Sequence, residues 1–403
     1  MDKQSKIFAL EGQVQHYQWG GFTYLPMLLS RSNDAGKPFA EYWLGAHAQA
    51  PALITGDGKL DHFISENPAV LGNQVIRQFG RLPYLLKVLD VNDMLSIQVH
   101  PTQADAITGF EAENVRGLSI SAPDRNYKDD NHKPELMAAL GEFWLLHGFR
   151  SPASMVNILQ EQQEMLFLLP VFKKDDYKAL YRTVMEMPAA EVKDRLQPLL
   201  DRIIPLYQAD RLSKANPDFW AARAALTFNQ TGKIDRGIFS VYLLNLVKMN
   251  TGEAIFQDAG ILHAYLEGQN IEIMANSDNV LRGGLTPKHV DVPELMKHVR
   301  FEAVIPNIQR GETMNAYEKR YPTPAADFEL HEIHLDKGDH YPVTANTVDI
   351  LIVTEGDIIA EVGGIPVLSS QRGDSLMLVA GAAAILKSRT GAQIFKATVP
   401  IQG

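Results

Sequence analysis

The spacing of apolar residues changes twice along this chain, and the changes divide it into regions. Up to about residue 150, short apolar runs such as "LPYLLKVLD" (82–90) and "FWLLHGF" (143–149) lie between clusters of Gly, Pro, Asn and Asp, a texture of strands and irregular loops. From 151 to 236, "SMVNILQEQQEMLFLL", "DYKALYRTVMEM" and "AEVKDRLQPLLDRII" repeat apolar residues at helical spacing, with Ser151–Pro152 and Pro188 as helix starts. Strand texture returns in "IFSVYLLNLVKMN" (238–250) and runs on through "NIEIMANSDNVLRGG" (270–284). From about 321, regular strands separated by Gly-Asp and Gly-Gly turns predict a second small barrel or sandwich. The pattern predicts a mainly β protein with an α-helical insertion.

Four side chains with ligating atoms stand among the predicted strands: Gln98 and His100 in "SIQVHP", Glu135 in "NHKPEL" and His263 in "ILHAY". Alternate residues of a strand share a face, so Ser96, Gln98 and His100 project together, away from Ile97 and Val99. An amide, two imidazoles and a carboxylate form a borderline N/O set. It suits zinc, tolerates other divalent ions and leaves room for substrate oxygens, as in a catalytic site. Q-x-H alone is a weak pattern, because a lone strand histidine is more often hydrogen-bonded structure. The second half adds weight: Gly252, five residues, Asp258-Ala259-Gly260, two residues and His263 follow the second cupin motif, in which glycines bend a strand so that a His enters a small barrel. Asp258 stands where that motif usually has Pro.

These ligands come from both sides of the helices, so the first barrel must be discontinuous. We expect two cupin-type jelly-roll barrels: a metal-binding catalytic barrel from 1–150 and 237–320, and a degenerate, metal-free one over 321–403, with the helical domain at 151–236. In the tail, His331 and His334 fall on opposite faces of a strand and form no ligand set with His340.

Composition narrows the function classes. A length of 403 residues allows two or three domains, and a formal net charge of −10 argues against wholesale nucleic-acid binding. Zero cysteines rule out thiolate zinc and disulfides and fit a reducing compartment. The N-terminal "MDKQSKIFAL" has no long apolar segment, and no stretch reaches bilayer-spanning length. The expectation is a soluble cytoplasmic protein without membrane or nucleic-acid partners.

Longer blocks carry a specific likeness. "FGRLPYLLKVLDVNDMLSIQVHP", "RNYKDDNHKPELMAAL", "LHAYLEG" and "MANSDNVLRGGLTPKHVDVPEL" resemble the signature blocks of the type I phosphomannose isomerase family, and "VQHYQWGG" and "AEYWLGAHAQAPA" resemble its opening blocks. The likeness follows the whole order of the chain. It implies a zinc-dependent aldose-ketose isomerase that interconverts mannose 6-phosphate and fructose 6-phosphate and works as a monomer in mannose metabolism. It also implies that Gln98, His100, Glu135 and His263 are zinc ligands and that Arg282 is the active-site arginine. The family usually has Pro before the ligand His, and Leu262 stands there in this chain.

Moving a proton between adjacent carbons through a cis-enediol requires an acid/base that reaches both carbons and an electrophile that spreads the enediolate charge. Lys133 and His132 adjoin Glu135, and a lysine beside a cation and out of bulk water gives up its proton more readily. Binding of phosphate or a hydroxyl is an equal reading of Lys133. Asp278 and Arg282 share a short segment after Glu272. Arg282 would stabilise an oxyanion or clamp phosphate, and Asp278 or Glu272 would shuttle the ring-oxygen proton; an ion pair fixing the loop is the bland alternative. Lys87, in an apolar run, needs a polar cavity or partner. With Lys133, Arg282 and Lys288 it would form an electropositive cup. Ser96 would donate a hydrogen bond, Tyr265 would line the sugar, and Trp19 and Glu41 would approach. An iron-dependent cupin oxygenase and a non-catalytic sugar-phosphate-binding cupin are the other classes; the first gives no reason for the cations and the second none for the acid/base groups.

Overall fold

Residues 6–401 are described by a computed structural model. Their strands fall into a ten-stranded and a twelve-stranded sheet, with the helices largely between residues 152 and 243. No helix among them is long and apolar enough to cross a membrane.

The ten-stranded sheet closes the first barrel. The run at 82–90 becomes the strand Tyr84–Val91, buried at every residue. Leu86 and Val88 pack into a core shared with the C-terminal strands, while Leu85, Lys87 and Leu89 line a cavity inside the barrel. Burial on both faces is why the run reads as continuous rather than alternating. The barrel turns on the strand His263–Ala275. Its start pairs with Phe143–Phe149 and, at His263, with Gln98; its second half pairs with Tyr84–Val91 and Glu135–Ala139. The change of partner occurs at Gly268, where φ is +130° and a Cβ would lie 2.6 Å from the Glu142 carbonyl oxygen, so only glycine fits.

The helical insertion begins where Ser151 accepts the Ser154 N–H and Pro152 occupies the first turn. The long helix Ala189–Gln208 starts after Pro188. Leu180, Leu196, Leu199 and Trp220 pack against Leu146, Phe149 and Leu262 of the barrel, so insertion and barrel share one core. One expectation is corrected: Gly237–Leu243 is a helix, and the strand begins only at Leu244. Every residue of that helix is buried, and an apolar run covered all round shows neither period.

In the twelve-stranded sheet, Asp349–Val362 turns through Gly363-Gly364 into Ile365–Gln371. The N-terminal strand Ile7–Glu11 joins this sheet, antiparallel to Ser375–Leu378, and Glu312–Thr313 and Glu318–Tyr321 belong to it as well. The expected boundaries at residues 1 and 321 therefore do not coincide with sheet membership. A pairing between ends of the chain more than 360 residues apart leaves no local signal.

Candidate active site

The barrel cavity, about 250 Å³, is walled by side chains from both halves of the first barrel. Glu135, one of the lining residues, meets two histidines: His100, Glu135 and His263 bring one donor atom each to within 4.8 Å of one another, all buried. Glu135 Oε1 lies 3.4 Å from His100 Nε2, and its Oε2 lies 3.5 Å from His263 Nε2. Donors about 2.0–2.1 Å from one tetrahedral ion stand roughly 3.4 Å apart, so the spacing fits zinc. Neither imidazole Nε2 nor Glu135 Oε2 has a hydrogen-bond partner, which is costly for buried polar atoms unless a cation takes their lone pairs. Both rings are oriented from behind: Nδ1 of His100 lies 2.8 Å from the Asn279 carbonyl and Nδ1 of His263 lies 2.9 Å from the Ile261 carbonyl. Each Nδ1 therefore carries the proton and each Nε2 is free to ligate.

Electrostatics agree with that reading. Burial and the nearby Lys133 ammonium pull His100 down to about 4, so its ring is neutral at pH 7. Burial alone would raise Glu135, but the Lys133 ammonium outweighs it and holds the carboxyl well below its ordinary range. Gln98 also lines the cavity, in register with His263 on one side and Arg282 on the other. Directly opposed residues of antiparallel strands share a face, so the three form one row.

The cations do two different jobs. Lys133 Nζ is 2.6 Å from Glu135 Oε1, and Lys87 Nζ is 3.0 Å from Glu272 and 3.5 Å from Glu41. Burial pulls Lys87 down, but these carboxylates overcome it and keep the amine charged. All four expected cations line the cavity, but Lys87 and Lys133 are already compensated by carboxylates, so only Arg282 and Lys288 add uncompensated charge. Among the described residues, Arg282 and Lys288 pair with no carboxylate. Burial lowers both, and Lys288 is lowered further by repulsion from Arg282 and Lys128, the signature of a site that lacks an anion.

Glu272, Asp278, Tyr265, Trp19 and Glu41 also line the cavity. Burial raises Glu272, and Lys87 opposes the rise without cancelling it. Asp278 accepts from Gln49 at 2.9 Å and lies 3.3 Å from His47; burial would raise it, but His47 holds it low. It does not pair with Arg282, so the loop-fixing ion pair is absent among the described residues. Two expectations are corrected. His132 lies in the loop before the strand Glu135–Ala139 and outside the cavity lining; its Nε2 meets Asp327 at 2.9 Å in a separate cavity. Ser96 precedes the short strand Ile97–Val99, half-buried and outside the cavity lining.

Comparison with known proteins accords with this geometry. The family model for the phosphomannose isomerase type I catalytic domain matches residues 7–152. The mannose-6-phosphate isomerase of Salmonella typhimurium is 36% identical over 372 residues, covering 87% of this chain and 89% of that protein. The chain belongs to the type I phosphomannose isomerase family. The mannose-6-phosphate isomerase of Macaca fascicularis, a more distant member, is 32% identical over 392 residues, covering 88% of this chain and 89% of that protein. The Salmonella typhimurium enzyme solved with fructose 6-phosphate and zinc superposes with a TM-score of 0.88 at 32% identity, over 98% of this chain and 100% of that one.

In this chain, sequence reasoning missed Tyr17, Trp43, His47 and Gln49. Tyr17 stacks on Trp19, ring centroids 5.9 Å apart, and both line the cavity. The Trp43 indole N–H donates to Glu41. Strand alternation from Glu41 would have placed Trp43 on the same face; His47 and Gln49 lie beyond that strand, where no period applies.

Proposed function

We propose that this protein interconverts mannose 6-phosphate and fructose 6-phosphate through a cis-enediol, with one zinc ion held by Gln98, His100, Glu135 and His263. The observation that carries the reading is a buried His100–Glu135–His263 cluster with three donor atoms lacking hydrogen-bond partners, joined through Glu135 to a cavity that also holds Arg282 and Lys288, two cations that pair with no carboxylate among the described residues. Its family membership and the fructose 6-phosphate and zinc bound by its Salmonella relative support it. Zinc, when bound, orients neighbouring sugar oxygens and spreads negative charge developing on them.

The chain's own groups do the rest. Lys288, exposed at the rim, receives the phosphate, while Arg282, beside Gln98 and partly buried, faces the oxyanion with its planar fork. Glu272 carries the proton between C1 and C2: its raised pKa brings it nearer neutrality than an ordinary carboxyl, and Lys87 fixes its position. Asp278, held low, anchors His47 and Gln49. Lys133 is engaged with Glu135 and serves as a hydroxyl contact. Trp19 and Tyr265 wall the sugar from water. The lack of cysteine supports a cytoplasmic location, and the family resemblance supports action as a monomer.

The test is isomerisation of mannose 6-phosphate in deuterated water without oxygen, using chelator-stripped protein with and without added zinc. Zinc-dependent fructose 6-phosphate carrying deuterium at C1 is expected, and Glu272→Gln should lose both turnover and label. Turnover without zinc would overturn the metal reading. A Glu272→Gln protein that still exchanges label would transfer the base to Lys133 or Asp278.

A further inference from the structure

The ladder between Glu135–Ala139 and His263–Ala275 ends where Glu135 faces Met274. Beyond it, segments 128–134 and 276–280 continue as loops, which carry Lys133 on one side and Asp278 on the other, the second leading into the strand Leu281–Gly284 that bears Arg282. One carboxylate joins them. Asp129 Oδ1 accepts from Ser277 Oγ at 2.7 Å, from the Asn131 N–H at 3.0 Å and from Asn279 Nδ2 at 3.2 Å, while Oδ2 accepts from the Asp278 N–H at 2.7 Å. No cation among the described residues pairs with it, so its acceptor capacity goes to the two loops. Asn279 is fully buried and completes the knot: its Oδ1 accepts from the Lys128 N–H at 2.7 Å, and its Nδ2 donates to the carbonyls of Asp129 at 2.8 Å and Asn131 at 2.9 Å. The backbone carbonyl of this immobilised residue is the one 2.8 Å from His100 Nδ1.

We propose that Asp129 is a positioning residue for the metal centre, acting through Asn279 on His100 and through the same knot on the loop bearing Lys133 and the loop that leads to Arg282. The inference rests on the zinc reading above. A ligating imidazole is aimed by the acceptor behind it, and disturbing such acceptors weakens metal binding by about 10- to 100-fold. Asn at position 129 would keep one acceptor oxygen but turn an NH₂ group toward donors already converging there, so the knot could not close.

The test measures zinc release to a chromogenic chelator from the intact holoenzyme, together with the absorption spectrum of the cobalt(II)-substituted protein and kcat. Asp129→Asn should release zinc about tenfold faster or more, with an altered cobalt spectrum and lower kcat. Glu113→Gln is the structural control. Glu113 accepts the Asn126 and Tyr127 N–H groups at 3.1 and 2.9 Å and pairs with Arg125, bonds of similar number in the adjoining loop that do not touch 276–279. It should leave zinc release and the spectrum unchanged. Wild-type release from Asp129→Asn, or equal acceleration in both variants, overturns the inference. If Asp129→Asn does not fold, Ser277→Ala, which deletes one donor, must show a smaller change in the same direction; no change overturns the inference. A wild-type protein that binds no zinc would instead sink the metal reading itself.

Discussion

Replacing Glu135 by Gln keeps the shape of the side chain and removes its charge, and the surroundings set two separate costs. Lys133 Nζ is 2.6 Å away, and the two side chains are only 9% and 1% exposed. In metal-free protein the substitution strands a buried ammonium, and removing one partner of a buried pair costs about 3–5 kcal/mol. Against a total stability of about 5–15 kcal/mol, that is a large fall in the urea midpoint. Adding Lys133→Met removes the stranded charge and should restore most of the midpoint, because replacing both partners is often neutral. Zinc should not follow stability. Both variants lack the only carboxylate of the cluster, so neither should retain zinc through desalting, measured by atomic absorption. A metal-free Glu135→Gln protein as stable as wild type, or a double variant no better than the single, would refute the stranded-charge argument. Stoichiometric zinc in either variant would refute the ligand set.

Three further outcomes follow from other residues. Arg282→Lys keeps the charge but loses the fork, so kcat should fall by about 10²-fold or more with zinc retained; an unchanged rate removes Arg282 from the chemistry. Lys288→Gln removes an exposed cation, so KM for mannose 6-phosphate should rise roughly fivefold at low salt and less at high salt, with kcat nearly constant; no salt dependence would argue against a phosphate contact. In the C-terminal sheet, burial pushes Asp349 up to about 6, above its ordinary 3.8. A raised acid favours folding fully below pH 3.8, and that contribution is lost as pH rises through 6. Asp349→Asn mimics the protonated form and should therefore stabilise at pH 7.5 by up to about 3 kcal/mol and change little at pH 3.5. Equal urea midpoints for mutant and wild type at pH 7.5 would contradict this.

The helical insertion was legible from its helical period, with Ser151–Pro152 and Pro188 starting helices, and 82–90 and 143–149 were legible as short apolar runs bounded by turn residues. Gly237–Leu243 was not, since burial on every side erases its period. Spacing also placed Gln98 and His263 on inward faces, because strand alternation is a property of the backbone alone. His132, in the loop before Glu135, was read by chemical type, and only the fold sets it against Asp327 instead of the cavity.

By itself, then, the sequence determined what local geometry controls: element types, the facing of alternate residues, and a donor set suited to zinc. Tertiary structure decided which charges meet. Nothing along the chain says which partner Lys87 meets, yet folding sets it against Glu272, 185 positions away, and Glu41, and leaves Arg282 and Lys288 without a carboxylate among the described residues. It also set Ile7–Glu11 beside Ser375–Leu378 and tied Asp129 to Asn279. Coulomb energy and hydrogen bonding depend on distance in space, and residues more than a hundred positions apart carry no local trace of being brought within 3 Å.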